Sequence, residues 1–275
     1  MSESLDSTVI QFNGPDVRQV LQGQTTRNFA TASIHTPLMG AFCDLKGRVL
    51  TDFLALITAD SQVLMRVHSS VADKLLEHLK KYLMFSKSDA IVTHLEVKGY
   101  VQAPLPTNGK LANDTNCIDR NDGLLESWIA TPSEAPEGAQ SLDSCEWRRE
   151  LTNIGDAQIV AATWGAYLPQ DLNYDLRGLI DFDKGCYTGQ EIVARLHYRG
   201  TPKRRLARLV FPAELPVEPG STIQDRATER GVGSIVQCVT LSGTTLALAE
   251  LAVTAVWDSV AVGEDSIAPS VIEWV

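Results

Sequence analysis

The sequence predicts an α+β protein, with mostly antiparallel sheet and helices packed on one face, followed by a small β-barrel or sandwich at the C-terminal end. Three observations carry this reading. Apolar residues recur with strand and helix periods in β-β-α-β order through the first hundred residues. A glycine-bearing turn at 183–191 runs into a segment of helical spacing. Past Pro202 only short strands remain, regularly spaced and separated by turn residues. On this reading 1–201 is the mixed region and 202–275 is the barrel or sandwich.

In order, Thr8 to Phe12 reads as a strand. Asn13-Gly14-Pro15-Asp16 reads as a turn opening a helix from Pro15 to Gln22, with Val17, Val20 and Leu21 at helical spacing and Gly23 as its stop. Gln24 to Asn28 is a polar loop. Leu38 to Cys43 and Val49 to Ile57 form a hairpin through Asp44-Leu45-Lys46-Gly47-Arg48, and Val63 to Val67 is the next strand. Ser69 and Ser70 offer caps for a helix from Val71 to Tyr82 that ends near Met84, and Ala90 to Val97 is a further strand. The tracts 104–122 and 131–143, rich in Pro, Gly, Ser and Asn, read as loops or an insertion. Trp147 to Glu150 begins a helix or a strand edge, Gln158 to Ala162 is apolar enough for a strand, and Leu168 to Asp175 is a polar, proline-bearing loop. The six C-terminal strands are expected at Leu206 to Phe211, Ser221 to Gln224, Gly233 to Thr240, Thr245 to Leu251, Ser259 to Val262 and Ser270 to Trp274.

The stretch Asp183-Lys184-Gly185-Cys186-Tyr187-Thr188-Gly189-Gln190-Glu191 concentrates the chemistry. Apolar Leu179 to Phe182 leads in and Ile192, Val193 and Leu196 lead out, so the spacing predicts strand, tight turn and helix, with Gly200 as the stop. Thr188 and Glu191 have the spacing of a capping box, which sets Cys186 just ahead of a helix N-terminus with Lys184 as a mobile cation beside it. Such a position suits chemistry or ligand capture. A capping box and a small buried cysteine are also common structural features, but a structural turn needs only one or two special residues, and this one has six in eight positions.

The formal net charge of −10 argues against a general nucleic-acid-binding surface, and no apolar run approaches a membrane span. A cytoplasmic location is expected. Cys43, Cys117, Cys145, Cys186 and Cys238 are odd in number and contain no C-x-x-C pair, so neither a disulfide framework nor a self-contained metal site is suggested. One segment runs against the overall charge: Arg195, Arg199, Lys203, Arg204, Arg205 and Arg208, with His197 and no acid. It reads as a solvated basic face or as a seat for a glutamate-tailed or phosphorylated ligand or part of an RNA backbone.

Three chemistries compete on these residues. Cys186 as a nucleophile needs a histidine base, and His197, eleven residues on and roughly 16 Å along a continuous helix, does not supply one; His35, His68, His78 or His94 would have to. Cys186 in redox or cluster handling beside an anionic cofactor would need ligands from a partner, since iron–sulfur clusters take about four thiolate-type ligands. A one-carbon transferase would use a carboxylate to position a pterin, and Asp52 is the candidate, with a strand-edge surface aspartate as the plain alternative.

Lys184 to Glu191, followed by Ile192-Val193-Ala194-Arg195 and Tyr198-Arg199-Gly200, closely resembles the signature of the YgfZ family of folate-binding proteins, relatives of the aminomethyltransferase (T-protein) of the glycine cleavage system. Gly14-Pro15-Asp16, Leu21 to Thr25, Lys46-Gly47-Arg48 with Asp52-Phe53, and Pro169-Gln170 with Asn173 and Asp175 fit as well, so the likeness spans about 8–208. The resemblance implies a ring-like arrangement of two α/β subdomains, about 1–100 and 101–201, and a β-barrel over 202–275, around a central tetrahydrofolate site. It implies a role in maintaining iron–sulfur enzymes, including those that thiolate tRNA, through contact with those enzymes or with cluster-assembly proteins. Cys186, with Lys184 and Tyr187, would be the reactive group; Asp52, Gln190, Glu191, Arg195 and Arg199 would hold the folate, its pterin near Asp52 and its glutamate tail toward the basic residues. An accessory protein is implied before a classical enzyme, with an aminomethyltransferase-like activity as the alternative. Where the T-protein has a folate-binding glutamate before a glycine, this chain has Asn153-Ile154-Gly155, which removes that carboxylate.

Overall fold

The computed structural model describes residues 4–102, 117–130, 135–212, 214–263 and 267–275. The elements in chain order are β1 (Ser7–Asn13), α1 (Val17–Gln24), β2 (Pro37–Cys43), β3 (Val49–Ala59), β4 (Gln62–His68), α2 (Ala72–Leu83), β5 (Asp89–Val92), β6 (Glu96–Gln102), β7 (Cys117–Asp119), β8 (Leu124–Ile129), β9 (Ala139–Leu142) and α3 (Ser144–Asn153). They continue with α4 (Gln190–Arg199), β10 (Arg204–Phe211), β11 (Thr222–Asp225), β12 (Gly231–Leu241), β13 (Thr244–Ala252), β14 (Val260–Val262) and β15 (Val271–Trp274). The predicted α+β class is the observed one, with antiparallel sheets throughout. The chain divides into two compact units, one gathering the described residues of 1–20, 29–39 and 53–147, the other 21–28, 40–52 and 148–275.

A five-stranded sheet in the order β2-β3-β4-β1-β5 provides most of the first unit's framework. β1 pairs with β4 from Ser7↔His68 to Asn13↔Gln62, and Val9, Ile10, Phe12, Met65 and Val67 are buried. The periodicity of α2 does what it predicts, burying Leu75 and Leu79. Its caps differ from the expectation: a single 3₁₀ turn occupies Ser69–Val71, and the His68 ring, in place of a serine, accepts from the Ser70 N–H. The expected strand Ala90 to Val97 is two strands, β5 and β6, which belong to different sheets.

The second sheet of this unit, β7-β8-β6-β9, corrects the reading of the polar tracts as loops alone. Strands β7 and β9 lie within those tracts, while 103–116 and 131–134 fall outside the described residues. β8 carries a buried charge cluster. The Glu126 carboxylate accepts from Arg66 at 2.8 and 3.2 Å, from Arg120 at 3.0 Å and from the Trp128 indole at 3.1 Å. Burial alone would push the Glu126 carboxyl up; Arg66 and Arg120 outweigh it and hold it below the ordinary 4.5 of a glutamate.

The other unit holds a curled six-stranded sheet, β14-β11-β12-β13-β10-β15, a half-barrel whose core includes Leu209, Phe211, Ile223, Ile235, Leu251 and Val260. All six strands predicted past Pro202 are present. The expected strand at 158–162 is absent, because the backbone N–H groups of Gln158 and Ile159 donate to side chains, Gln237 Oε1 at 3.1 Å and Asp52 Oδ1 at 2.7 Å, in place of a ladder. A bulge in β12 between Ile235 and Gln237 interrupts the register at that glutamine.

Candidate functional site

The cysteine turn lies in the second unit and is fixed by groups distant in sequence. Lys184 is only 7% exposed. Its ammonium donates to the carbonyls of Gln22, Thr25 and Arg27 at 2.7, 2.7 and 2.6 Å, which uses all three of its donors. Gln22 lies in the last turn of α1, whose carbonyls lack intrahelical partners, so Lys184 acts as a C-terminal cap delivered from elsewhere in the chain. Burial lowers its pKa to about 8, with Asp181 opposing and Arg27 assisting. The mobile cation expected from the sequence is therefore an anchored one.

Gly185 and Cys186 turn outward and are exposed, and Tyr187 turns back in. The Lys184 ammonium sits 5.0 Å from the centroid of the Tyr187 ring. Burial, reinforced by Cys43 and Asp181, pushes the Tyr187 hydroxyl's pKa up, so it remains a neutral phenol. Lysine in, thiol out, tyrosine in: the turn presents Cys186 between two buried anchors.

The predicted capping box does not form. Thr188 donates to Gln24 Oε1 at 3.1 Å and to the Gly23 carbonyl at 3.4 Å, and its own N–H donates to Gly23 O at 3.0 Å. These bonds join the turn to α1, so the capping position falls to Gly189 at φ +84°, with no side-chain cap, and Glu191 is left exposed. A Cβ on Gly189 would stand 2.4 Å from the Asp44 carbonyl oxygen and 2.9 Å from the Gly47 Cα; a Cβ on Gly47, at φ +73°, would stand 3.0 Å from the Ile192 Cβ. The two glycine motifs thus interlock, each permitting the other's close approach. Leu179 to Phe182 is not a strand: Asp181 N–H donates to the Thr26 carbonyl at 2.9 Å, and the Thr26 hydroxyl donates to Leu179 O at 2.7 Å. Gly23 lies inside α1 and does not end it, and the polar residues Gln24, Thr25 and Thr26 that follow are buried.

Asp52 is buried on β3, which rules out the surface reading, and its Oδ1 accepts from the Ile159 N–H. Gln190 is half-buried, and Arg195 and Arg199 are exposed on α4. Half of the basic run is engaged inside the unit. Arg204 pairs with Glu250 at 2.8 Å, Arg205 with Asp175 at 2.6 Å, and Arg208 with Glu273. The His197 ring stacks on Phe182 with centroids 3.7 Å apart. Sequence reasoning missed the carbonyl cradle and Asp181, whose Oδ2 accepts from Asn28 N–H at 2.6 Å and from Arg27 at 3.1 Å. The polar triplet Gln24-Thr25-Thr26, too short for an element of its own, was the available signal. Among the described residues no group of three His, Cys, Asp or Glu side chains is placed to hold a metal ion, and no helix is long and apolar enough to cross a membrane.

This architecture has known counterparts. The chain matches the crystal structure of the glycine cleavage system aminomethyltransferase T from Bartonella henselae with a TM-score of 0.60, over 96% of this chain and 81% of that one, at 13% identity. The fold is accordingly that of the glycine-cleavage T-proteins. No family model matches the chain. The tRNA-modifying protein YgfZ of Vibrio atlanticus (strain LGP32) is 32% identical over 222 residues, 75% of this chain and 68% of that protein. Its namesake in Klebsiella pneumoniae (strain 342) is 30% identical over 262 residues, 86% and 80% of the two chains, and that of Pectobacterium carotovorum subsp. carotovorum (strain PC1) is 27% identical over 282 residues, 94% and 82%. The chain belongs to the YgfZ family.

Proposed function

We propose that this protein is a folate-binding accessory factor that supports iron–sulfur enzymes, those of tRNA modification among them, through the thiol of Cys186. The observation that carries the proposal is the construction of the turn: two buried side chains, Lys184 and Tyr187, flank one exposed cysteine, and three backbone carbonyls from a distant segment hold the lysine. In this reading Lys184 and Tyr187 position the thiol without reacting, and the thiol meets a partner's sulfur or cluster. The relatives' name, tRNA-modifying protein, supports the cellular setting, which is cytoplasmic in this reading.

The donor set suits tetrahydrofolate, whose bound form supplies a pterin ring and the nitrogens that carry one-carbon units. A buried carboxylate, Asp52, suits pterin N–H donors, and the exposed guanidiniums of Arg195 and Arg199 suit a glutamate tail, with Gln190 and Glu191 between them in sequence. A one-carbon transferase is the second reading. It is favoured by the T-protein fold, while Asn153-Ile154-Gly155 lacks the carboxylate that such a transferase uses.

Calorimetric titration with tetrahydrofolate of wild type, Asp52→Asn and Cys186→Ala tests this, together with the ability of each to restore a strain lacking the gene. Binding lost in Asp52→Asn, and kept in a Cys186→Ala protein that fails to restore, is the expected result. No binding by wild type would remove folate from the proposal, and full restoration by Cys186→Ala would remove the thiol.

A further inference from the structure

A cleft of about 590 Å³ opens in the second unit beside the C-terminal end of α4, within the size range of small-molecule sites. Arg48, Lys203 and Arg204 bring three cations to it, and Asp171 and Glu250 lie in its lining. The two acids are 9% and 6% exposed, whereas the guanidiniums they face, Arg48 and Arg204, are 41% and 40% exposed. An ordinary surface ion pair has both partners in water. Here the acid is buried and the cation reaches out from it.

The hydrogen bonds show how much of each cation is engaged. Arg204 bonds to both Glu250 oxygens, at 2.8 Å each, through one nitrogen, Nη1. Arg48 likewise uses Nη1, which donates to the Ala166 carbonyl at 2.7 Å and lies 3.9 Å from Asp171 Oδ2. Asp171 is itself fixed by the Leu168 N–H at 2.8 Å. Neither guanidinium uses Nε or Nη2 toward any described residue, and Lys203 is exposed with no ion-pair partner among them. Tethered guanidiniums with unused donors form a preorganised receptor for oxyanions. Leu168 and Leu196 add apolar wall for an organic body. Burial pushes the carboxyls of both Asp171 and Glu250 up, in keeping with a dry floor beneath a basic rim.

We infer that this cleft binds a small organic oxyanion, phosphate- or carboxylate-bearing, on Arg48, Lys203 and Arg204, with Asp171 and Glu250 holding the guanidiniums in place. The inference does not rest on folate binding at Asp52.

Calorimetric titration of the full chain with pyrophosphate and, separately, with citrate tests it, in wild type, Arg48→Gln, Lys203→Gln and Arg204→Gln. One-to-one binding of at least one probe is expected, weakened tenfold or more by Arg48→Gln or Arg204→Gln and about threefold by Lys203→Gln; whichever probe binds more tightly identifies phosphate or carboxylate as the group recognised. Arg204→Gln strands a buried acid and is open to misfolding, so Lys203→Gln, at an exposed and unpaired ammonium, serves as the variant expected to keep the wild-type urea midpoint. Tetrahydrofolate affinity measured on the same variants should be unchanged, which separates failure here from failure of the folate proposal. No saturable binding of either probe, or full affinity in both Arg48→Gln and Lys203→Gln, overturns the inference.

Discussion

Arg66 in the first unit and Lys184 in the second are both buried cations, satisfied in opposite ways. Arg66 meets a buried carboxylate, Glu126, that is shared with Arg120, so charge is cancelled by charge. Lys184 meets three neutral carbonyls, so its charge is solvated by dipoles. Their titration differs accordingly. Glu126 is held below its ordinary value by its guanidiniums, while Lys184 is pulled down to about 8 by burial. A buried ion pair fixes a framework under all but acidic conditions. A dipole-solvated ammonium fixes a turn while remaining able to release its proton in a mildly alkaline range.

The largest effect should come from removing the shared acid. Glu126→Gln leaves Arg66 and Arg120 buried without their common counter-charge and should cost about 3–5 kcal/mol in urea unfolding at pH 7. Because the folded-state pKa is depressed, the wild type's advantage is full above the ordinary 4.5 and is lost as pH falls through the folded value. An unchanged midpoint at pH 7 would break the contrast on this side. Gly189→Ala comes next: a left-handed backbone and a Cβ 2.4 Å from the Asp44 oxygen should cost at least about 2 kcal/mol.

Lys184→Met removes charge-assisted bonds and should cost about 2 kcal/mol at pH 7. Between pH 8 and 10.5 the unfolded chain keeps the lysine proton and the folded chain does not, so wild type gains stability relative to the variant as pH rises across that window. Urea midpoints of both proteins across the window measure this, and a narrowing gap would reverse the account of Lys184. The smallest effects fall on Thr188 and Cys186. Thr188→Ala should cost about 1 kcal/mol through its lost bond to Gln24, and Cys186→Ser should stay within about 0.5 kcal/mol of wild type in thermal unfolding.

What the sequence disclosed was local. The period of α2, the hairpin around Asp44 to Arg48, the helix ending before Gly200 and the six C-terminal strands were all readable, because each depends on neighbours a few residues away. The family was readable from the turn itself, because its eight residues leave little room for coincidence. The capping box and the strand before the turn failed for a shared reason. Thr188, Leu179 and Asp181 each form hydrogen bonds with residues 23–26, and local pattern cannot see a partner that far away. Lys184 read as a mobile charge for the same reason. The basic run was legible as a run, but its acid partners Asp175, Glu250 and Glu273 are distant in sequence, so its division into engaged and exposed members was not.

The cradle of Lys184 also has a timetable. Its carbonyls belong to residues 162, 159 and 157 positions earlier than the lysine. At roughly 5–20 residues per second on a ribosome, the nascent chain carries that cradle for about 8–32 s before the ammonium that fills it is synthesised. Until then those carbonyls lack this partner, and Cys186, two residues beyond the lysine, is made later still. The cysteine turn is thus among the later features of the molecule to take shape, and a chain stalled short of residue 184 would carry the residues of the cradle without the turn.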